Sequence, residues 1–328
     1  MSQSISSVSV GEVNESVERI RSFYNTLCGH FLNRNEVLRL MVTATVAQEP
    51  LLFVGRPGTA KSLLVSVFCQ GLRLPQSEYF EYMLTKFTEP SEVMGPVDIV
   101  ALKEGRFIRK TAGLLPTARV AFLDEIFKAN SAILNMLLTI INERKYFQEG
   151  TAIPVPLVTL FAASNEIPDF AEFDALKDRF ILKVETRPVI DSHFHELIRQ
   201  GIKFEHLRYL GETPWQVADC SLEDFLRVRQ YLLATVLPRL AEAPDDEQLG
   251  SKESTRNFRA LIATLRHQLN IEITDRKLIK LYKLLITQAF LFNGGTVGPQ
   301  ELKLLCYCAN HFREIRLVEE KISEYLEK

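Results

Sequence analysis

Leu51-Leu52-Phe53-Val54-Gly55-Arg56-Pro57-Gly58-Thr59-Ala60-Lys61-Ser62 is an apolar run that breaks into a glycine-bearing loop ending in Lys-Ser, and Leu63 opens a helix-compatible segment. Strand, loop and helix in that order are the context a phosphate-binding loop requires. Gly55, Pro57 and Gly58 supply backbone shapes that other residues resist. Successive N–H groups can then turn inward around a polyphosphate at the positive end of the following helix. Lys61 is placed to reach the β- and γ-phosphates and Ser62 to ligate magnesium. The candidate nucleotide-binding set is Gly55, Arg56, Pro57, Gly58, Thr59, Ala60, Lys61, Ser62 and Leu63. Ala60 stands where G-x-x-x-x-G-K-[ST] has its second glycine, and the expectation is a negative φ there, which tolerates a methyl group. A buried strand followed by an incidental lysine is the alternative this segment leaves open.

About sixty residues on, Val120-Ala121-Phe122-Leu123-Asp124-Glu125 is a buried apolar run with two carboxylates at its end. Ligand chemistry in open α/β sheets gathers at the carboxyl ends of the strands. Asp124 is the candidate for holding magnesium, directly or through water, and Glu125 for orienting the attacking water. Val158 to Ala163 reads as another buried strand, ending in Ser164-Asn165-Glu166. Asn165 could hydrogen-bond the γ-phosphate or the water, or serve equally as a turn residue.

Apolar residues at three- and four-residue steps predict helix from Gly11 to Gln48, from Leu63 to Leu72 and from Ser131 to Arg144. Glu78 to Thr85 and Phe180 to Val184 complete five short strands. With a short helical stretch from Phe173 to Arg179, they predict an α/β parallel sheet with helices on both faces. Two excursions interrupt it: Val97 to Leu102 with Arg106 to Lys110 around Lys103-Glu104-Gly105, and Arg144 to Leu157 around Glu149-Gly150. Both read as hairpins, and an insertion of this length is a contact surface or a stabilising flap. Arg187 to Ser221 reads as a connector. Leu222 to Leu240, Thr255 to Leu269, Thr274 to Leu291 and Pro299 to Leu326 read as helices. The expected domains are therefore a nucleotide-binding core over 1–190, a connector over 191–221 and an all-helical lid over 222–328.

The 328 residues include 46% hydrophobic and 24% charged side chains, enough apolar material for a core plus a smaller domain. No apolar run approaches the ~18 residues needed to cross a bilayer. Met1 to Gly11 lacks a basic start followed by an apolar stretch, so no secretory signal is expected and a cytoplasmic location is. A net charge of −2 argues against broad nucleic-acid binding. Five scattered cysteines fit a reducing compartment; Cys306-x-Cys308 and His193-Phe194-His195 lack the further ligands a metal site needs.

With these residues assembled, the chain resembles the MoxR family of AAA+ ATPases, and within it the RavA-like branch. The resemblance rests on residues 55–62, on Phe87-Thr88-Glu89-Pro90-Ser91-Glu92-Val93-Met94-Gly95-Pro96, and on Phe122-Leu123-Asp124-Glu125-Ile126-Phe127-Lys128-Ala129. It continues through Ile133-Leu134-Asn135, Asn142-Glu143-Arg144, Ala162-Ala163-Ser164-Asn165-Glu166 and Ala175-Leu176-Lys177-Asp178-Arg179, from about residue 15 to the end. It implies an AAA+ P-loop core with a helical lid, and a ring, usually a hexamer, with ATP and Mg2+ at subunit interfaces. Arg179 matches the arginine that completes a neighbour's site, and Asn165 matches the first sensor. Arg276, in Thr274-Asp275-Arg276-Lys277 at the start of a lid helix, is the choice for the second. The 97–109 insert resembles the helix-2 insertion and the 144–157 excursion the pre-sensor hairpin, which tend to face the ring axis or the client. RavA-like proteins commonly continue past this lid into partner-binding segments, whereas this chain ends at Lys328, so partner recognition is not carried over from there.

The resemblance implies an ATP hydrolase that remodels or matures a client protein beside a partner with a von Willebrand factor A-type (vWA) domain. The alternatives are a nucleic-acid-stimulated motor, for which Arg106, Arg109 and Lys110 are too diluted by Asp98 and Glu104, and an assembly scaffold without significant hydrolysis. Intact carboxylates at 124 and 125 argue against the scaffold. No Asn-Lys-x-Asp motif points to guanine.

Overall fold

Val13, Val17, Ile20 and Phe23 recur at helical spacing and are buried along one face of α1 (Val10–Cys28), which opens on a reciprocal capping box between Ser9 and Glu12. The computed structural model describes residues 9–216 and 219–326; most of the Ser-rich start and the final two residues lie outside the described residues. After α1 come α2 (Asn35–Ala47), β1 (Leu51–Val54), α3 (Lys61–Gly71), β2 (Tyr79–Met83), α4 (Pro90–Met94), α5 (Ile99–Lys103) and β3 (Val120–Asp124). Next are α6 (Ser131–Glu143), the hairpin β4 (Lys145–Gln148) and β5 (Thr151–Pro154), then β6 (Thr159–Ser164), α7 (Asp174–Arg179) and β7 (Leu182–Glu185). The rest is helical: α8 (Ile190–Leu210), α9 (Leu222–Tyr231), α10 (Leu237–Ala241), α11 (Lys252–His267), α12 (Asp275–Phe292), α13 (Pro299–Leu302) and α14 (Phe312–Leu326).

The five expected strands form one parallel sheet in the order β2-β3-β6-β1-β7. β1 lies inside it, with Leu51 opposite both Phe161 and Leu182 and Val54 opposite Ser164. All four β1 residues are buried, so the strand reads as an unbroken apolar run rather than an alternating one. Because every strand runs the same way, the carboxyl ends of β1, β3 and β6 share one edge, and the residues after them become neighbours.

One continuous apolar core takes in residues from Val13 to Ile322. Polar contacts join the same parts. Buried Asp224 of α9 accepts from Ser16 and Arg19 of α1 at 2.9 Å, and Lys280 of α12 pairs with Glu49 at 2.7 Å.

Several expected elements differ. Val97 to Leu102 is no hairpin strand: Asp98 accepts from the N–H groups of Val100 and Ala101 and nucleates α5, leaving one antiparallel bridge between Val97 and Arg109. The segment read as a connector holds α8, kinked at His193; much of its apolar side faces solvent, which made the composition look mixed. Pro299 to Leu326 is two helices, because the Glu314 carboxylate takes the N–H groups of Asn310 and His311 and starts α14 afresh. The first helical stretch divides into α1 and α2 at a turn where Asn33 is left-handed. The 144–157 excursion is the expected hairpin.

Candidate functional site

Gly55 leaves β1 with its N–H on Ser164 O at 3.1 Å. Thr186, just past β7, closes the other side: its N–H donates to Val54 O at 2.7 Å and its Oγ1 lies 2.9 Å from Thr59 Oγ1. A Cβ on Gly55 would come within 2.6 Å of Thr186 O and Oγ1, so this approach of β7 demands glycine. Ala60 has φ +63° rather than the expected negative value. The chain enters α3 through a left-handed residue, where a side chain costs about 1–2 kcal/mol and the usual glycine does not. Lys61 is buried and donates Nζ to Gly55 O at 2.5 Å and Arg56 O at 3.1 Å, so the loop curls around its own ammonium. Burial lowers the Lys61 pKa, while Asp124 and Glu125 pull it back up. Arg56, Pro57, Gly58 and Ser62 are exposed; Leu63 is half-buried.

Asp124 closes β3, and its Oδ1 accepts from the N–H of Glu125 at 2.9 Å. That contact accompanies a left-handed backbone at Glu125, φ +54°. Asn165, at the exit of β6, donates Nδ2 to Glu125 Oε1 at 2.5 Å, and Lys128 Nζ lies 3.2 Å from the same oxygen. The side chain of Asn165 is thus engaged with a carboxylate forty positions away. Lys128 was not anticipated; the available signal was its place one tight turn after Glu125, where i and i+3 side chains overlie each other.

Beside the loop opens a cleft of about 370 Å³, lined among others by Phe31, Leu32, Pro57, Val189, Leu197 and Phe204. Its apolar walls against the phosphate loop suit a flat heterocyclic base. Sequence reasoning missed it because the walls come from the α1–α2 turn, the exit of β7 and α8. The recurrence of Ile190, Phe194, Leu197 and Ile198 was the signal that could have shown the helix.

The donor set at the loop fits magnesium. Ser62 Oγ and the Asp124 carboxylate are hard oxygen ligands of the kind Mg2+ takes one or two at a time, alongside water and substrate phosphates.

Arg179 ends α7 with Nη1 2.8 Å from Asp178 Oδ2, and its Nε is buried without a partner. Arg276 is exposed on the first turn of α12, a helix fastened through Lys280 and Lys283 to Glu49 at the amino end of β1, the opposite end from the loop. Among the described residues no hydrogen bond or ion pair brings either arginine to Lys61, Asp124, Glu125 or Asn165 of the same chain.

A family model described as the MoxR domain in MoxR–vWA–β-propeller ternary systems matches residues 18–222. Two uncharacterised proteins of Methanocaldococcus jannaschii are 44% and 45% identical over 181 and 174 residues, which is 55% and 53% of this chain and 46% and 45% of theirs. The chaperone MoxR1 of Mycobacterium tuberculosis is 24% identical over 204 residues, 61% of this chain and 50% of its own. The chain thus spans about half the length of these relatives. It superposes on the crystal structure of a Cytophaga hutchinsonii protein provisionally described as an ATPase, with a TM-score of 0.69 over 97% of this chain and 96% of that one. At 16% identity, that likeness concerns the fold alone.

Proposed function

The chain belongs to the MoxR family of AAA+ ATPases, and on that premise we propose that it hydrolyses ATP in a Mg-dependent reaction and couples turnover to remodelling or maturing a client protein. The observation that carries this reading is the meeting of Lys61, Asp124, Glu125 and Asn165 at one sheet edge, beside an apolar cleft of base size. Lys61 exchanges the loop carbonyls for the β- and γ-phosphates, and the N–H groups opening α3 take further phosphate charge. Ser62 and Asp124 would hold the magnesium ion, which when bound supplies neutralising charge to the phosphates. Glu125 accepts a hydrogen bond from the attacking water and aligns it, while Asn165 and Lys128 set the direction of its carboxylate.

Arg179 is proposed to act as the finger on a neighbouring subunit's nucleotide, and Arg276 as the second sensor, in a hexameric ring of the RavA-like kind. Such an arginine is worth about 10³- to 10⁵-fold in rate in other nucleotide hydrolases. A vWA-domain protein is the proposed partner, in keeping with the family description. The proposed client contact joins Ile99, Val100 and Phe107 of the insertion to Phe147 of the hairpin. All four are exposed, and the two segments are tied by the Phe107 N–H on Glu149. Both arginines of the insertion are already engaged, Arg106 by Glu104 and Arg109 by Gly95 O, which disfavours a nucleic-acid role. No helix among the described residues is long and apolar enough to cross a membrane, and we place the chain in the cytoplasm.

ATP turnover per subunit across a concentration series, with sedimentation of the same samples, tests this reading. Specific activity should rise with assembly, and Glu125→Gln should assemble with ATP yet lose hydrolysis. Arg179→Ala should lose it as well. Turnover that is independent of concentration together with a silent Arg179→Ala sinks the shared site; a parent that binds ATP but never turns it over sinks the hydrolase.

A further inference from the structure

Glu49, at the amino end of β1, is buried and pairs with Lys280 and Lys283 of α12. Arg229 of α9 donates to Ala47 O at 2.9 Å, and Arg144, left-handed at the end of α6, donates to Gln48 O at 2.8 Å. Four cations from three separate parts of the chain therefore converge on the carboxyl end of α2 around one carboxylate. Two of their N–H groups go to carbonyls, which carry no formal charge, and the end of a helix contributes only about half a negative charge. Four cations less one carboxylate and that half charge leave the cluster about two and a half positive charges.

Arg144 is under-partnered, and burial weighs on the charges around it. Arg144 Nη1 is buried and has no hydrogen-bond partner. Burial pushes the Arg144 guanidinium down to about 10, with Glu49 opposing and Arg229 adding to the fall. Lys283 is likewise lowered, chiefly by burial; Glu49 opposes the fall through its charge and hydrogen bond, and Arg229 and Lys280 add to it. Lys280 and Lys283 each keep 23% of their side chains exposed, so the cluster opens to water past α12.

We propose that this cluster is a binding site for a small phosphorylated anion, held by Arg144, Arg229, Lys280 and Lys283 at the far end of β1 from the phosphate loop. Guanidinium groups present planar, paired donors that match phosphate oxygens, and lysines complete such sites as point charges. More than two uncompensated charges suit a polyvalent anion better than a single carboxylate. The donors are spread over α6, α9 and α12, and the two partly exposed lysines are the side from which a small anion would approach. Arg144 O also accepts the Val155 N–H at 2.7 Å where the β4–β5 hairpin ends, so an occupant would brace the hairpin base against α9 and α12.

The probe is labelled pyrophosphate, measured by equilibrium dialysis at constant ionic strength on the Lys61→Ala chain, whose phosphate loop is disabled. One equivalent should still bind. Adding Lys280→Gln, at a partly exposed position, should weaken that binding about tenfold or more, as loss of a charge-assisted hydrogen bond implies. In the unsubstituted chain, pyrophosphate should slow acetylation of Lys280 and Lys283, read by mass spectrometry, and chloride at equal ionic strength should not. Binding that vanishes with Lys61→Ala, lysines left unprotected, or equal protection by chloride each overturns the proposal. None of these readouts involves hydrolysis, so they stand or fall apart from the ATPase reading.

Discussion

Replacing Gly55 with alanine would put a Cβ 2.6 Å from Thr186 O, 2.6 Å from Thr186 Oγ1 and 3.4 Å from the carbonyl carbon. Carbon–oxygen contacts close to about 3.3 Å at best, so both oxygens are overlapped by roughly 0.7 Å. The hydroxyl can rotate away. The carbonyl cannot, because the same residue's N–H is fixed to Val54 O at 2.7 Å where β1 pairs with β7. Relief requires opening the end of that ladder, which also carries the start of the phosphate loop. Overpacking of this kind costs about 1–3 kcal/mol. Borne by the loop, that strain weakens nucleotide binding about 5- to 150-fold; borne by the whole chain, it lowers the unfolding free energy by the same amount. Titration with a fluorescent ATP analogue and magnesium, paired with urea unfolding, distinguishes the two. Thr186→Ala on the Gly55→Ala background removes one of the two overlaps and should recover part of the loss. Gly58→Ala, where nothing lies within 4 Å, is the control that carries only the φ +80° penalty. A Gly55→Ala chain with parental affinity and parental urea midpoint would refute the close-approach reasoning.

Gly201 faces the base cleft with nothing within 4 Å of an added Cβ, so Gly201→Phe should fold normally, occupy the cleft and weaken ATP binding by about tenfold, measured by the same titration. Glu49→Gln leaves four cations around no carboxylate and should destabilise the fold by about 3–5 kcal/mol in urea; a change below 1 kcal/mol would mean the cluster is already well hydrated. Lys183 is fully buried on β7, donates to Phe180 O at 2.6 Å, and is lowered well below the usual lysine range by burial and then by Lys277. The unfolded chain holds that proton up to about pH 10.4 while the folded chain gives it up earlier. Its contribution to stability is therefore complete above the unfolded value and is lost as pH falls toward the folded one. The urea midpoint should rise more steeply from pH 7 to 9 in the parent than in Lys183→Met, and parallel slopes would count against it.

Leu51 to Val54, Val120 to Asp124 and Thr159 to Ser164 are recognisable as buried strands because the interior of each is an apolar run with no alternating polar face to present. Once those runs are parallel strands of one sheet, Lys61, Asp124 and Asn165 must emerge at the same edge, where the Asn165 amide donates to Glu125. The α5 segment was misread because Asp98 can end a strand or cap a helix, and the choice lies in where its side chain bonds. The left-handed turn at Ala60 was misread for a related reason: alanine carries no local preference for that shape, and the loop imposes it.

The sequence by itself determined the parallel α/β core, the phosphate loop, the carboxylate pair and the helical C-terminal part, since each is specified by residues within one strand or a few helical turns. Tertiary structure alone decided the apolar cleft beside the loop, the contact of Thr186 with Gly55, the pairing of Arg179 with Asp178 rather than with the Asp124–Asn165 edge, and the cationic cluster on Glu49. Apart from the neighbouring Arg179–Asp178 pair, these bring together groups far apart in the chain, as Gly55 with Thr186 and Glu49 with Lys280. Periodicity and turn chemistry reach only a few residues along the chain, whereas such contacts depend on how whole elements pack.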